Sequence, residues 1–294
     1  MPPAQIAIHI PNVSVAALRA GNGPRLLFLH DELSSDWTPF LDLLAERFEV
    51  TAPELPGFGC SERPEWADTI DDLAFAVADL TDALAPTAIV GASLGGWLAI
   101  EAAVRGAPAT ALVAIGAPGI DLHGDPPADY FVLMQHERPA FFFDNPECAP
   151  DVDEDTSIRN ESMTARLVWQ PRYVNPALTG RLHRVRAPTL VGRGAKHRFI
   201  KRPQPPAPPH RAPGAPRGAP PPPRGGGGPN DRFLSRAHGE ALANGAPDGR
   251  LAVVDNAGHF PAREQPEATA ALVAGFLNDL PSPSGRGQSA SARG

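Results

Sequence analysis

Short apolar segments alternate with helical patterns along most of this chain, and this alternation constrains the fold more than any other feature of the sequence. Six apolar segments short enough for strands occur at 25–30, 48–55, 87–93, 110–118, 187–192 and 250–258. Helical periodicity occupies 68–85 and 94–108. Buried strands separated by helices favour a mostly parallel, doubly wound α/β sheet. Such sheets bind their ligands at the carboxyl ends of the strands.

Composition and charge limit the classes of partner. The chain has 294 residues, of which 42% are hydrophobic, enough for a sizeable core. Its formal net charge of -7 gives no reason to expect nucleic acid or an anionic membrane as a partner. We therefore expect a small-molecule substrate and neither nucleic acid nor a membrane as a partner. We also expect a monomer or homodimer that uses no cofactor and no metal ion.

Cysteine content and the first residues indicate a cytoplasmic location. Cys60 and Cys148 are too few for a disulfide framework, and the opening ten residues lack the pattern of a secretory signal. The apolar segments also fall short of the roughly 18 to 20 residues that a membrane-spanning helix needs. Both cysteines are expected to be unreactive.

One window of the sequence differs sharply from the rest. Residues 162–230 contain no Asp or Glu, although they hold half of the chain's 26 Lys and Arg residues. Within this window, 203–229 contains a third of the chain's 36 prolines together with many glycines. Such a segment cannot bury enough apolar surface to offset its ordering entropy, so it is predicted to be disordered or polyproline-like.

The predicted organisation is one α/β core in two parts. The first part is residues 1–118 and the second is residues 187–280, with a helical cap formed by 119–186. The second part contains a low-complexity insert at 194–229, and 281–294 form a disordered tail.

A serine lies between two glycines in the segment GASLGG, residues 91–96. It directly follows an apolar strand and directly precedes a helical pattern, which is the context of a nucleophile turn. Gly91 and Gly95 would let two backbones approach closely and lift the Ser93 hydroxyl out of the sheet. The helix that follows would direct its free amides at an oxyanion, with the N–H of Leu94 as first donor.

At this point the chain resembles the α/β-hydrolase superfamily, specifically its capped bacterial serine hydrolases. The resemblance rests on five blocks in family order: FLH (28–30), PELPGFGCSERP (53–64), GASLGG (91–96), APTLVG (187–192) and NAGHFPAREQPE (256–267). It implies an α/β-hydrolase fold with a helical cap. It also implies that the backbone N–H of Glu32 is the second oxyanion donor. The family usually has glycine where this chain has Asp31. Because glycine adopts backbone conformations that other residues avoid, the loop at Asp31 is expected to differ in conformation from that of the family.

A serine hydroxyl needs a base, and the resemblance assigns that role to His259. His30, at a strand end, is expected to be a buried structural histidine. The resemblance places the acid of the triad just after the strand at 187–192. Because 162–230 lack acids, Asp231 is the first candidate after that strand, and Asp121 is the alternative.

Substrate selection is expected to come from the cap, with Trp97, Phe131, Trp169 and Arg172 as candidate contacts. The leading hypothesis is a serine hydrolase that cleaves a small, largely apolar ester by acyl transfer. Carbon–carbon bond hydrolysis by the same residues is the alternative enzyme function. Serine at position 93 argues against dehalogenase and epoxide hydrolase chemistry. Non-enzymatic alternatives are an impaired, ligand-binding hydrolase-like protein and an interaction tail formed by the basic insert.

Overall fold

The computed structural model describes residues 2–195 and 232–280, and its centre is an eight-stranded sheet. The strands are β1 (Ala4–Ile10), β2 (Val13–Ala20), β3 (Arg25–Leu29), β4 (Glu49–Pro53), β5 (Ala88–Ala92), β6 (Ala111–Ile115), β7 (Thr189–Gly194) and β8 (Gly249–Val254). Their order across the sheet is β1-β2-β4-β3-β5-β6-β7-β8. The strands from β3 to β8 pair in parallel, whereas β2 pairs antiparallel with both β1 and β4.

Helices cover both faces of the sheet. They are α1 (Pro39–Ala45), α2 (Ile70–Leu84), α3 (Leu94–Val104), α4 (Arg138–Phe142), α5 (Glu154–Val168), α6 (Leu178–Arg181), α7 (Arg236–Gly245), α8 (Pro261–Glu264) and α9 (Pro266–Asn278). One apolar core lies between the sheet and α2, α3 and α7, and a second lies between the sheet and α1 and α9. The α/β-hydrolase fold predicted from the sequence is therefore present.

Local sequence accounts for the bounds of α2. Thr69 caps the helix: its hydroxyl accepts the N–H of Asp72 at 3.1 Å, and the Asp72 carboxylate accepts the N–H of Thr69 at 2.9 Å. This capping box satisfies two amides that a helix start leaves open. The apolar stripe through Leu73, Val77 and Leu80 is fully buried. The helix thus begins at its capping residue and packs with the face that its periodicity predicts.

The N-terminal hairpin was absent from the sequence prediction. In β1 and β2, positions Ile8, Ile10, Val13 and Val15 are buried, and every second residue points away from the core. This period-2 pattern is that of a half-buried antiparallel strand, in contrast to the continuous apolar segments of the central strands. The helix α1 was also not predicted.

The segment between β6 and β7 is helical. Besides α4, α5 and α6 it contains short 3-10 turns at Tyr130–Val132, Gln135–Glu137, Pro146–Cys148 and Leu182–Arg184. At its end the structure corrects one predicted boundary. Gly194 was placed in the insert, but it is the last residue of β7 and lies in register with Val254. Ala195, also placed in the insert, donates its N–H to the carbonyl of Val254 at 2.8 Å. Residues 196–229 of the predicted insert and the predicted tail lie outside the described residues.

Within the two described ranges, no helix combines the length and the apolar character required to cross a bilayer.

Candidate active site

Ser93 lies in a sharp turn between β5 and α3, and two glycines make this turn sterically possible. The Ser93 backbone has φ 46° and ψ -114°, a strained conformation for a residue with a side chain. A Cβ on Gly91 would lie 2.3 Å from the carbonyl oxygen of Gly95, and one on Gly95 would lie 2.2 Å from that of Leu29. Residues 91–95, here called the nucleophile turn, therefore pack directly against the end of β3.

His259 lies beside Ser93, although the two are far apart in sequence. The Ser93 Oγ is 2.9 Å from the His259 Nε2, and both side chains are 1% exposed. The His259 backbone N–H donates to the carbonyl of Phe142 at 2.7 Å. The rings of Phe233 and Phe260 lie 4.8 and 4.6 Å from the imidazole. The imidazole is thereby held at the carboxyl end of β5 in an apolar environment.

Asp231 lies outside the described residues, and its role stays a prediction. Phe233, two residues further along the chain, is in ring contact with His259. The alternative acid Asp121 is exposed in the segment after β6.

The loop that follows β3 lies next to the nucleophile turn because β3 and β5 are neighbours in the sheet. Residues 30–34 are here called the oxyanion loop. His30 is buried: its Nε2 accepts the N–H of Leu55 at 3.0 Å, so its Nδ1 carries the proton and donates to the carbonyl of Asp31 at 2.6 Å. Burial lowers the pKa of His30, which keeps the ring neutral. Both ring nitrogens serve the structure, as expected for this histidine.

Asp31 stabilises the oxyanion loop through its side chain. It does not have a positive φ, so this position does not require glycine. One carboxylate oxygen accepts the N–H groups of Leu33 and Ser34 at 2.9 and 3.2 Å, and the other accepts Arg263 Nε at 2.9 Å. Because Arg263 belongs to α8, this buried ion pair joins the oxyanion loop to the segment that carries His259. The departure from the family pattern at position 31 thus has a structural explanation.

The predicted oxyanion donors surround an acidic side chain. The Leu94 N–H donates to the Oε2 of Glu32 at 3.4 Å, a long hydrogen bond, and the Glu32 side chain is buried. Burial raises the pKa of the Glu32 carboxyl and outweighs the nearby His259, which lowers it. Sequence reasoning assigned a role to the Glu32 backbone only and missed its carboxyl.

A cavity of about 230 Å³ extends from Glu32 towards the helical segment between β6 and β7. Its walls include the following residues from the oxyanion loop, α4, α5 and their connections: Leu33, Tyr130, Arg138, Phe142, Phe143 and Asn160. Its surface is therefore partly aromatic and partly polar. Since Glu32 lines this space and accepts the N–H of Leu94, the residue after Ser93, the cavity adjoins the nucleophile turn.

The structure does not bring the predicted substrate contacts to this cavity. Trp97 is buried in α3 and donates its indole N–H to Glu101 at 3.0 Å. Trp169 is 55% exposed, and its ring lies 5.3 Å from that of Phe131. Arg172 forms an ion pair with Asp129 and lies 4.3 Å above the Trp169 ring. Packing and ion pairing account for these residues, and none of them is among the residues that line the cavity.

Glu264 is a second residue that sequence reasoning missed. Its carboxylate accepts the N–H groups of Gly258 and Asp144 at 2.6 Å each and that of Asn145 at 3.0 Å. It thus connects the residue before His259 to the end of α4. An acid one helical turn beyond the loop histidine was the signal available in the sequence. Over the described residues, no cluster of His, Cys, Asp and Glu side chains is arranged to hold a metal ion.

Comparison with known proteins reveals similarity to part of two curated proteins. An uncharacterized protein of Mycobacterium tuberculosis is 37% identical over 90 residues, covering 29% of this chain and 26% of that protein. The 2-(acetamidomethylene)succinate hydrolase of Mesorhizobium japonicum is 30% identical over 102 residues, covering 33% of this chain and 37% of that protein. The chain thus matches only 26% and 37% of the length of these two relatives.

Solved structures match over nearly the whole chain. A bacterial membrane phospholipase A has a TM-score of 0.69 at 22% identity, covering 94% of this chain and 86% of that one. A serine hydrolase involved in carbazole degradation has a TM-score of 0.69 at 18% identity, covering 94% of this chain and 99% of that one. At this identity the similarity establishes the fold. The model of the alpha/beta hydrolase family matches residues 26–272, from β3 into α9, and the chain therefore belongs to that family.

Proposed function

We propose that this hydrolase cleaves small, largely apolar esters by acyl transfer through Ser93, His259 and Asp231. The observation that carries the proposal is the 2.9 Å approach of the Ser93 Oγ to the His259 Nε2 at a strained strand-to-helix turn. An imidazole in this position can take the serine proton as Oγ attacks the ester carbonyl. It can then return that proton to the leaving alcohol.

Chain connectivity supports Asp231 as the acid. Phe233, two residues beyond position 231 in the sequence, is in ring contact with the imidazole, and two residues span at most about 7 Å, so chain length permits the proposed interaction. A carboxylate there would orient the imidazole and stabilise its protonated form. The exposed position of Asp121 is less suitable, because screening by water weakens such an interaction.

The developing oxyanion requires N–H donors that are already in place. The backbone amides of Leu94 and Glu32 are the proposed donors, and the first belongs to the N-terminus of α3, which favours negative charge. The apolar part of the substrate would occupy the cavity beside Phe142 and Phe143.

Carbon–carbon bond hydrolysis is the less favoured alternative. It would use the same serine and histidine on an acid substrate, with Arg172 as the expected carboxylate contact. The ion pair between Arg172 and Asp129 engages that guanidinium elsewhere, which supports esters as substrates.

Labelling with a fluorophosphonate tests the proposal without knowledge of the natural ester. We expect peptide mass spectrometry to find the label on Ser93, and Ser93→Ala to abolish both labelling and hydrolysis of 4-nitrophenyl acetate. The variant His259→Ala should slow both reactions by roughly 10⁴-fold or more. Ser162→Ala, which changes an exposed serine of α5, is the matched control and should behave as the unmodified protein. Unchanged hydrolysis in Ser93→Ala would refute the mechanism.

A further inference from the structure

The carboxyl of Glu32 lies where the oxyanion of a reacting ester would bind. Its Oε2 accepts the N–H of Leu94, the first of the two proposed oxyanion donors, at 3.4 Å. We propose that the Glu32 side chain occupies the oxyanion hole of the resting protein and that an ester must displace it to react. This inference rests on the proposed function and makes Glu32 a specificity-determining residue of the same site.

The chemistry of the hole explains why a carboxyl binds there. An oxyanion hole offers backbone N–H donors to an oxygen that carries negative charge, and a carboxylate oxygen is such an acceptor. The N-terminus of α3, an 11-residue helix, adds a favourable dipole. Because Glu32 is part of the adjacent loop, its carboxyl competes with substrate as a tethered ligand at high effective concentration.

The same position leaves the carboxyl incompletely satisfied. Its second oxygen, Oε1, is buried and has no hydrogen-bond partner among the described residues. A buried acceptor without a partner is unfavourable, and burial raises the pKa of this carboxyl for the same reason. A well-bound ester can therefore displace the Glu32 carboxyl from the hole.

The cavity next to Glu32 provides space and donors for the displaced side chain. Arg138 lines this cavity, and its Nε is buried without a hydrogen-bond partner among the described residues. The hydroxyl of Tyr173 is likewise buried and unpartnered within the described part of the chain. Burial raises the pKa of Tyr173, and the charge of Glu32 raises it further. The Tyr173 ring lies 6.4 Å from the ring of Tyr130, which lines the cavity. These two donors are the ones we expect a displaced carboxyl to use.

The need to displace Glu32 would reduce the reactivity of every ester that binds weakly in the cavity. A carboxylate and a transition-state oxyanion accept the same N–H groups, so the two cannot occupy the hole together. Esters whose apolar part packs against the cavity wall supply the binding energy for displacement, whereas minimal esters do not. The resting protein would therefore discriminate against the smallest acyl groups.

The test compares Glu32→Ala, which empties the hole, with Glu32→Gln, whose amide oxygen can still accept the Leu94 N–H. The measurements are the second-order rate of fluorophosphonate labelling of Ser93 and kcat/KM for 4-nitrophenyl acetate. We expect Glu32→Ala to raise both by about tenfold or more, since a single oxyanion-hole hydrogen bond is worth about 10²–10³-fold in rate. Glu32→Gln should raise them much less. Glu65→Ala removes an exposed acid and serves as the matched control.

Added acetate provides a second measurement that needs no variant to fold. Acetate should not slow the labelling of the unmodified protein, because Glu32 already fills the hole. It should slow the labelling of Glu32→Ala by occupying the vacated donors. Competitive inhibition of the unmodified protein by acetate would mean that its hole is open and would overturn the inference.

The possible outcomes separate this inference from the proposed function. Labelling of Ser93 that is equally fast in the unmodified protein and in Glu32→Ala overturns the inference and leaves the serine mechanism intact. Labelling of Ser93 in both proteins that is about tenfold or more faster in Glu32→Ala supports both. The absence of Ser93 labelling in both proteins, with unchanged circular dichroism and melting temperature, overturns both.

Discussion

The nucleophile turn and the oxyanion loop face each other across the candidate site, but different forces hold them. In the nucleophile turn, Gly91 and Gly95 allow backbone atoms to pack at distances that no side chain would permit. In the oxyanion loop, the buried carboxylate of Asp31 binds two backbone amides and Arg263. One region is fixed by steric fit and the other by charge. This difference implies that the backbone of the nucleophile turn tolerates little change, whereas the conformation of the oxyanion loop depends on which side chains it carries.

The largest expected effect concerns Asp231, which belongs to neither region. Asp231→Asn should lower turnover by about 10⁴-fold, because the imidazole loses the group that fixes its tautomer and stabilises its charged form. Kinetics of 4-nitrophenyl acetate hydrolysis measure this loss. Asp121→Asn is the matched control, and strong inactivation by that change instead would reassign the acid to the segment after β6.

The same measurement should be repeated after deletion of residues 196–229. We expect the shortened protein to be at least as stable and no less active, since extending a loop costs only about 0.6 kcal/mol per doubling of its length. Asp231→Asn should inactivate it equally. Loss of activity in the shortened protein while the fold persists would show that the deleted residues contribute to the site.

The second effect tests the charge that holds the oxyanion loop. The Asp31 and Arg263 side chains are only 5% and 8% exposed, so Arg263→Met would leave a buried carboxylate without its cation. We expect the free energy of unfolding to fall by about 3–5 kcal/mol, as measured by urea denaturation. Addition of Asp31→Asn should restore part of this stability. Strictly additive losses in the double variant would contradict the coupling.

The third effect tests steric fit in the nucleophile turn. Gly95→Ala places a methyl group 2.2 Å from the carbonyl oxygen of Leu29, so we expect a loss of about 1–3 kcal/mol in stability together with loss of ester turnover. The control is Gly275→Ala in α9, where an added Cβ meets nothing within 4 Å. That change should stabilise the protein by about 0.5–1 kcal/mol. Full activity in Gly95→Ala would show that the turn tolerates expansion.

The smallest effect concerns a predicted substrate contact outside both regions. Arg172 and Asp129 form an ion pair whose side chains are 32% and 34% exposed. Arg172→Ala should therefore change stability by no more than about 1 kcal/mol and should leave KM for apolar esters unchanged. A large rise in KM would return Arg172 to the substrate site.

The central strands were predictable because their apolar segments are continuous and short. β3, β5 and β6 lie within the predicted segments, and α2 and α3 lie within the two predicted helical patterns. The hairpin β1–β2 was missed because one of its faces is exposed, and an alternating pattern carries less apolar signal than a continuous one. The boundary at residue 194 was misplaced because a Gly-rich end of a strand has the composition of a linker.

The sequence by itself determined the order of the central strands and of α2 and α3, the strained turn at Ser93 and the pairing of that serine with a loop histidine. These features depend on local periodicity, on glycine at sterically crowded positions and on motif order, all of which are properties of the chain read in one direction. Tertiary structure alone decided what the acidic side chains do. Asp31 binds Arg263, Glu264 anchors the His259 loop and the Glu32 carboxyl accepts the N–H of Leu94. Each of these depends on burial and on partners distant in sequence, because the energy of a charge is set by the groups that surround it in space.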